Sequence, residues 1–279
     1  MRVDFKRIAK ELYLEASFNL RRDIRKALVK AYSQEREKLV KEALSAILKN
    51  GDLAKKNRMA ICQDTGYPVL FLKIGDIGIK NLNSITGDLT KGIREATIRG
   101  HLRYSVVVDP LDRMKIAPNI PPIFHIEFNN SKRLEIELLV KGFGSENQTK
   151  LSMLSPNTLD SDIVGIVADH IKVVGSKACP PYVIGIGIGG TADKAIILSK
   201  EAALISLDKK NKNKRLADLE QRIREEVNKL KIGPLGVGGE TTCLGAKVLT
   251  HPTHIAGLPL GITVSCHAVR SAKKIIKFK

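Results

Sequence analysis

Through residues 4 to 50 the apolar positions recur at helical spacing. In "SQEREKLVKEALSAILKNG", Leu39, Val40, Ala43, Leu44 and Ile47 fall on one face, Ser33 is placed to cap the start, and Asn50-Gly51 to end the helix. From about residue 67 the spacing shortens. "YPVLFLKIG", "YSVVVDP" and "FHIEFNNSKRLEIELLVKG" read as strands, and the last predicts a hairpin turning at Asn129-Asn130-Ser131. Residues 156 to 175 return to helical spacing, followed by a strand-like "YVIGIGIGG" and a helical "TADKAIILSKEAALISL". Leu216, Leu219, Ile223, Val227 and Leu230 predict an amphipathic helix over 215 to 231. The stretch from 233 to 266 shows little regular pattern beyond the closing "LPLGITVSCHAV". With no internal repeat and no low-complexity linker, the pattern predicts an α+β fold in a single compact unit over 1–279. A helical portion (1–50) leads into a mixed sheet with packed helices (51–279).

Length and composition narrow the setting. A chain of 279 residues, 43% hydrophobic and 27% charged, can bury a sizeable core. No apolar run approaches the roughly 18 residues a membrane span needs. The N-terminus "MRVDFKRIAKEL" lacks the apolar core of a signal peptide, so the expected location is cytoplasmic. The net charge of +18 first raises nucleic-acid binding, as in a basic RNA-binding protein. Yet the lysines are spread along the chain, and the densest clusters, "LDKKNKNKRL" and "RSAKKIIKFK", carry almost no aromatic residues for stacking on bases. A lysine-rich surface accounts for them better. A positive field that attracts small dianions or an acidic partner is the next reading.

Four cysteines, Cys62, Cys179, Cys243 and Cys266, are separated by 117, 64 and 23 residues, which excludes a zinc finger or CxxC motif. Buried free cysteine is the ordinary reading of each. However, Cys62 precedes Gln-Asp-Thr-Gly, Cys179 precedes Pro-Pro, and Cys266 closes an apolar strand before His-Ala. Each stands where a side chain can face a cavity. Three thiolates from distant loops can hold an iron–sulfur cluster, and three ligands rather than four leave one iron open as a Lewis acid. A second motif, Gly185, Gly187 and Gly190, fits G-x-G-x-x-G, with Asp208 near the expected ribose acid. Pro180-Pro181 before the strand, and the absence of an opening βαβ unit, argue against a nucleotide there. Glycines that let backbone pass close to a cluster fit better.

"CQDTG", "KGFGSEN", "CPPYVIGIGIGG", "GGETTCLGAKV" and "HPTHIAGLP…SCHAVR", in that order, resemble the α subunit of the two-subunit iron–sulfur (class I) fumarate hydratases and the related L-tartrate dehydratases. The resemblance implies a [4Fe–4S] cluster held by Cys62, Cys179 and Cys266, with Cys243 left as a packed thiol. It implies substrate contacts at Gln63, Asp64, Arg103, His254 and the turn of Gly142 and Gly144, with Asp64 and His254 also moving protons. The chemistry suits these roles: Arg103 offers a planar fork to a carboxylate, Gln63 an amide donor. His251 and His267 are read as structural. Asp64 could equally be capping a turn. The implied reaction is reversible hydration of fumarate to malate, with tartrate or mesaconate chemistry as the alternative. The implied partner is a β subunit in an α2β2 assembly, bringing the general base and further cations.

Overall fold

The computed structural model describes residues 3–78 and 81–278. Helices α1 (Phe5–Phe18), α2 (Arg22–Gln34) and α3 (Lys38–Asn57) precede strand β1 (Tyr67–Ile74) and helix α4 (Leu82–Arg99). Strands β2 (Val106–Val107), β3 (Ile116–Ala117), β4 (Ile123–Phe128) and β5 (Arg133–Lys141) follow, then α5 (Phe143–Glu146) and β6 (Lys150–Leu154). The remainder runs α6 (Asp160–Val174), β7 (Tyr182–Gly189), α7 (Ala192–Leu204), α8 (Lys214–Lys229), β8 (Cys243–His251), β9 (Leu258–Ser265) and β10 (Arg270–Lys277). Helices packed on mixed sheets make the α+β class plain. The chain forms two compact units, each discontinuous in sequence.

One unit comprises the chain up to Arg21, Asn50–Phe143 and the segment from Arg270 onward. Its sheet runs β10-β5-β1-β4, with β1 parallel to β4 and antiparallel to β5. The predicted hairpin of 123–141 therefore does not form: β4 and β5 flank β1 instead of pairing with each other. Burial explains the insertion. β1 is apolar and buried almost throughout, so it takes a central position, whereas β4 carries exposed Ile123, Ile126 and Phe128 and serves as an edge. Leu70, Leu72 and Ile74 lie opposite Leu138, Ile136 and Leu134, and this face packs in one core with Leu12, Tyr13 and Ala16 of α1 and Leu89, Ile93 and Ala96 of α4. The lysine-rich stretch "RSAKKIIK" near the C-terminus forms the other edge strand. There Lys273 bridges Glu135 (2.8 Å) and Glu137 (3.6 Å).

The second unit comprises Arg22–Lys49 and Gly144–Val269, around a sheet ordered β6-β9-β7-β8. Tyr182, Ile184 and Ile186 of β7 pack in one core with Ile163, Val167 and Ile171 of α6 and Leu219, Ile223 and Val227 of α8. The alternate positions of β7 are glycines, and they face α7. A Cβ on Gly185 would stand 2.0 Å from the Ser199 carbonyl oxygen, and one on Gly187 2.1 Å from that of Ala195. The glycine alternation thus lets a helix lie directly on the strand. Neither residue sits in a phosphate-binding turn, and Asp208 pairs with Lys26 at the surface. Two helix boundaries also differ from expectation. Ser33 lies in the last turn of α2 and bonds back to Lys30 O, while Glu35 accepts the amides of Arg36, Glu37 and Glu240 before α3 begins. Burial alone would raise the Glu35 carboxyl, but those three amides hold it below its usual range. Nor does Asn50-Gly51 end the helix, which continues to Asn57. Strand β8 emerges from the stretch that showed no pattern.

Gly187→Ala should cost about 3 kcal/mol or more, because a methyl would meet helix backbone rather than a movable side chain. Gly165→Ala in α6, where a Cβ meets nothing within 4 Å, should be neutral or stabilising. Urea unfolding of both variants checks this; similar midpoints would contradict the packing account.

Candidate active site

In the first unit the CQDTG segment follows α3 as a bend, and the side chains of Asp64 and Thr65 within it are both held by hydrogen bonds. The Asp64 carboxylate accepts two amides, Gly66 N at 2.9 Å and Phe143 N at 2.7 Å, and the Asp64 carbonyl accepts Arg270 Nη1 at 2.5 Å. The hydroxyl of Thr65 donates to the carbonyl of Arg103, which also accepts Asn119 Nδ2 at 3.1 Å. The other end of the Asn119 amide accepts Ser105 N at 2.8 Å. The backbone of Arg103 is thereby fixed against the residue two beyond Asp64's neighbour Gln63. The guanidinium of Arg103 and the amide of Gln63 are exposed, and neither makes a hydrogen bond or ion pair among the described residues. Gly142 completes the turn. A Cβ there would stand 3.0 Å from Arg270 Nη2 and 3.1 Å from Asp64 Oδ2, so only glycine leaves these two groups facing a common space. Cys62, directly before Gln63, is half-buried and free.

In the second unit Cys179 and Cys266 belong to one end of the sheet. Cys179 precedes β7, Cys266 follows β9, and the two strands pair antiparallel with Val183 opposite Ser265. His267 ties the ends together: its backbone N–H donates to Cys179 O at 3.3 Å, and its Nδ1 stands 3.1 Å from the same oxygen. A carbonyl only accepts, so Nδ1 carries the proton. Burial pushes the His267 pKa down, which keeps the ring neutral. Tyr182, the first residue of β7, feels both cysteines. Burial chiefly, then negative charge at Cys179 and Cys266, pushes its hydroxyl up, and it donates to Gly175 O. Gly144 stands close to this end as well, its missing Cβ 3.6 Å from the Lys177 carbonyl.

The four cysteines divide by environment. Cys179 is exposed and Cys62 and Cys266 are half-buried, whereas Cys243 is buried and its thiol is pushed up to about 12 by burial. A thiol that resists ionisation is a poor metal ligand, so the donor set that fits a cluster is the accessible three. No three His, Cys, Asp or Glu side chains surround a single ion among the described residues. The cysteines of a cubane each bind a different iron, and need not crowd one point. His254 stands apart. It lies in the loop between β8 and β9, where its Nδ1 accepts Ala256 N, at the opposite end of the sheet from Cys179 and Cys266. An eight-residue strand separates those ends by about 25 Å.

Sequence reasoning passed over Thr65, Asn119, Arg270 and Tyr182. Asn119 sits in "APNIPP", where a turn residue is unremarkable. Arg270 carried a signal that could have been used, a lone arginine directly after the apolar "CHAV".

The family model described as Fumarate hydratase (Fumerase) matches residues 6–275. A protein of Methanocaldococcus jannaschii named "Putative L(+)-tartrate dehydratase subunit alpha" is 40% identical over 277 residues, covering 96% of this chain and 95% of its own length. One of Geobacillus stearothermophilus named "Putative fumarate hydratase class I" is 32% identical over 93% of this chain, which spans only 52% of that protein. The L(+)-tartrate dehydratase subunit alpha of Escherichia coli K12 is 28% identical over 79% of this chain and 73% of its own length.

Asn119→Ala would leave Ser105 N without its partner and loosen the Arg103 carbonyl, at a cost of about 2 kcal/mol. Thermal or urea unfolding reads this; an unchanged midpoint would show that the network contributes nothing to the site's rigidity.

Proposed function

Because the chain belongs to the fumarate hydratase family, whose named relatives are hydro-lyases, we propose that it is the cluster-binding α-type subunit of an enzyme that reversibly hydrates fumarate to (S)-malate. The observation that carries this reading is the pairing of an exposed, unpartnered Arg103 guanidinium with a main chain bonded to Thr65 of the CQDTG segment, the segment that also carries the half-buried Cys62. A cation on a fixed backbone suits a carboxylate, and its planar fork can take both oxygens. The amide of Gln63, exposed one residue after Cys62, is free to donate to a second carboxylate. Cys62, Cys179 and Cys266 would hold a [4Fe–4S] cluster, which when bound supplies Lewis acidity at one open iron.

In the dehydrating direction the C–O bond of malate breaks, the adjacent carbon gives up a proton, and hydroxide leaves as water. Asp64 would protonate the departing hydroxyl from its carboxylic acid form, becoming carboxylate as water leaves and taking a proton back from solvent afterwards. Its two amide bonds fix its orientation and leave a lone pair on each oxygen. Arg103 and Gln63 hold the carboxylates while negative charge develops on the substrate. The base for the carbon-bound proton would come from a partner. The relatives named as subunit alpha support a β subunit, and the longer Geobacillus protein leaves room for equivalent sequence within one chain; the assembly proposed here is α2β2. His254 lies too far along its own sheet to meet Cys179 and Cys266, so any contribution it makes would come from a second copy of the chain. The expected setting is the cytoplasm; no helix among the described residues is long and apolar enough to cross a membrane.

Tartrate is a second reading, favoured by the name of the 40% identical relative. Steady-state rates of the complex purified anaerobically with its partner separate the two: malate turnover should exceed tartrate turnover, and the reverse order would assign the enzyme to tartrate. Arg103→Ala should lower kcat/KM by about 100-fold in a folded complex. Retention of activity would remove Arg103 from the site.

A further inference from the structure

Arg270 opens the C-terminal edge strand, yet its side chain is only 3% exposed. A buried guanidinium normally pairs with a carboxylate, since an uncompensated charge in the interior is costly. No carboxylate lies within ion-pair distance of Arg270 among the described residues. Its one hydrogen bond runs from Nη1 to a neutral acceptor, the carbonyl of Asp64. Nη2 lies where two glycines leave room: a Cβ on Gly142 would be 3.0 Å from it, and one on Gly66 3.2 Å. Gly66 also has φ +69°, so glycine is favoured there on conformational grounds as well. The nearest carboxylate, that of Asp64, faces the same space beside Gly142 but has both oxygens engaged by Gly66 N and Phe143 N.

We propose that Arg270 is a positioning residue for carboxylate recognition. It fixes the Asp64 main chain, and it places a positive charge beside the Asp64 carboxylate under the Gly142–Phe143 turn, offsetting that negative charge so that the turn can seat one carboxylate of a dicarboxylic acid. This rests on the reading of the site as a dicarboxylate site and adds to it the residue that supplies the charge. Arg270 is not itself a substrate contact, because its own surface is enclosed. It acts through the turn and through Asp64. Hydrogen-bond geometry and charge then make separable contributions: lysine keeps the charge and loses the planar donor, glutamine keeps a donor and loses the charge.

The test uses succinate, a dicarboxylate with no double bond to hydrate and no hydroxyl to lose, titrated calorimetrically into the wild-type complex and into Arg270→Gln and Arg270→Lys complexes. Thermal unfolding without ligand monitors the fold. Arg270→Gln should weaken succinate binding at least tenfold, and Arg270→Lys by less than fivefold, irrespective of how each changes Tm. A merely structural role would track Tm and would not rank the variants by charge. Binding by Arg270→Gln within twofold of wild type would overturn the assignment. Should that variant fail to fold, loss of binding by folded Arg270→Lys overturns it as well. Wild-type complex that ignores succinate would overturn the dicarboxylate reading itself, and the inference with it.

Discussion

The hydrogen bonds made by Asp64 hold together three segments that are remote in sequence. Its carboxylate takes the amides of Gly66 and Phe143, and its carbonyl takes the guanidinium of Arg270, 206 residues away. Each bond alone contributes about 1 to 3 kcal/mol, those to charged groups at the upper end. Their combined effect is geometric. They set the CQDTG bend against the turn before α5 and against the first residue of β10, and they do so before any ligand arrives. Thr65 and Asn119 extend the same fixed backbone to Arg103. What remains unbonded on this frame, the ends of Gln63 and Arg103, is what a ligand can use. Such preorganisation is how a polar site avoids reorganising during reaction.

In the second unit the limiting constraint is steric. Glycines on alternate positions of β7 let α7 rest on strand backbone, which leaves the opposite face of the strand to Tyr182, Ile184 and Ile186 and the core built on α6 and α8. The strand is thereby covered on both faces, and its N-terminal end is held in register with the end of β9. Cys179 and Cys266 are neighbours for that reason, with His267 bridging them through a single carbonyl. Cys243 starts the adjacent strand but points into the core, where burial suppresses its ionisation.

Much of this was legible in the sequence. Period-3.6 spacing located α6, α7 and α8, and the apolar runs located β1, β7 and β9, because in each case burial of one face or both dictates the residue pattern. The failures have specific causes. β4 and β5 looked like a hairpin since a polar turn joins two β-rich runs, but strand pairing is decided by which strand most needs burial, and β1 took the place between them. β8 was hidden by the glycine- and threonine-rich stretch that leads into it, and β10 by lysines that face outward from an edge. At the candidate site, Cys62, Asp64 and Gly142 lie in ordered motifs and Arg103 was expected only from the resemblance, whereas Asn119 and Arg270 act through bonds to distant main-chain atoms that no local pattern encodes. Asp64 was ambiguous between turn cap and acid. The structure gives it the capping bonds, and they orient it for the proposed acid role.

The central claim is that accessible sulfurs, and not the buried one, bind a cluster. Iron and sulfide content of the anaerobically reconstituted protein, measured for serine substitutions at each cysteine, tests it most directly. Cys243→Ser should retain iron at the wild-type level, while Cys62→Ser, Cys179→Ser and Cys266→Ser should each lose most of it. Full iron content in any of those three, or its loss in Cys243→Ser, would contradict the claim.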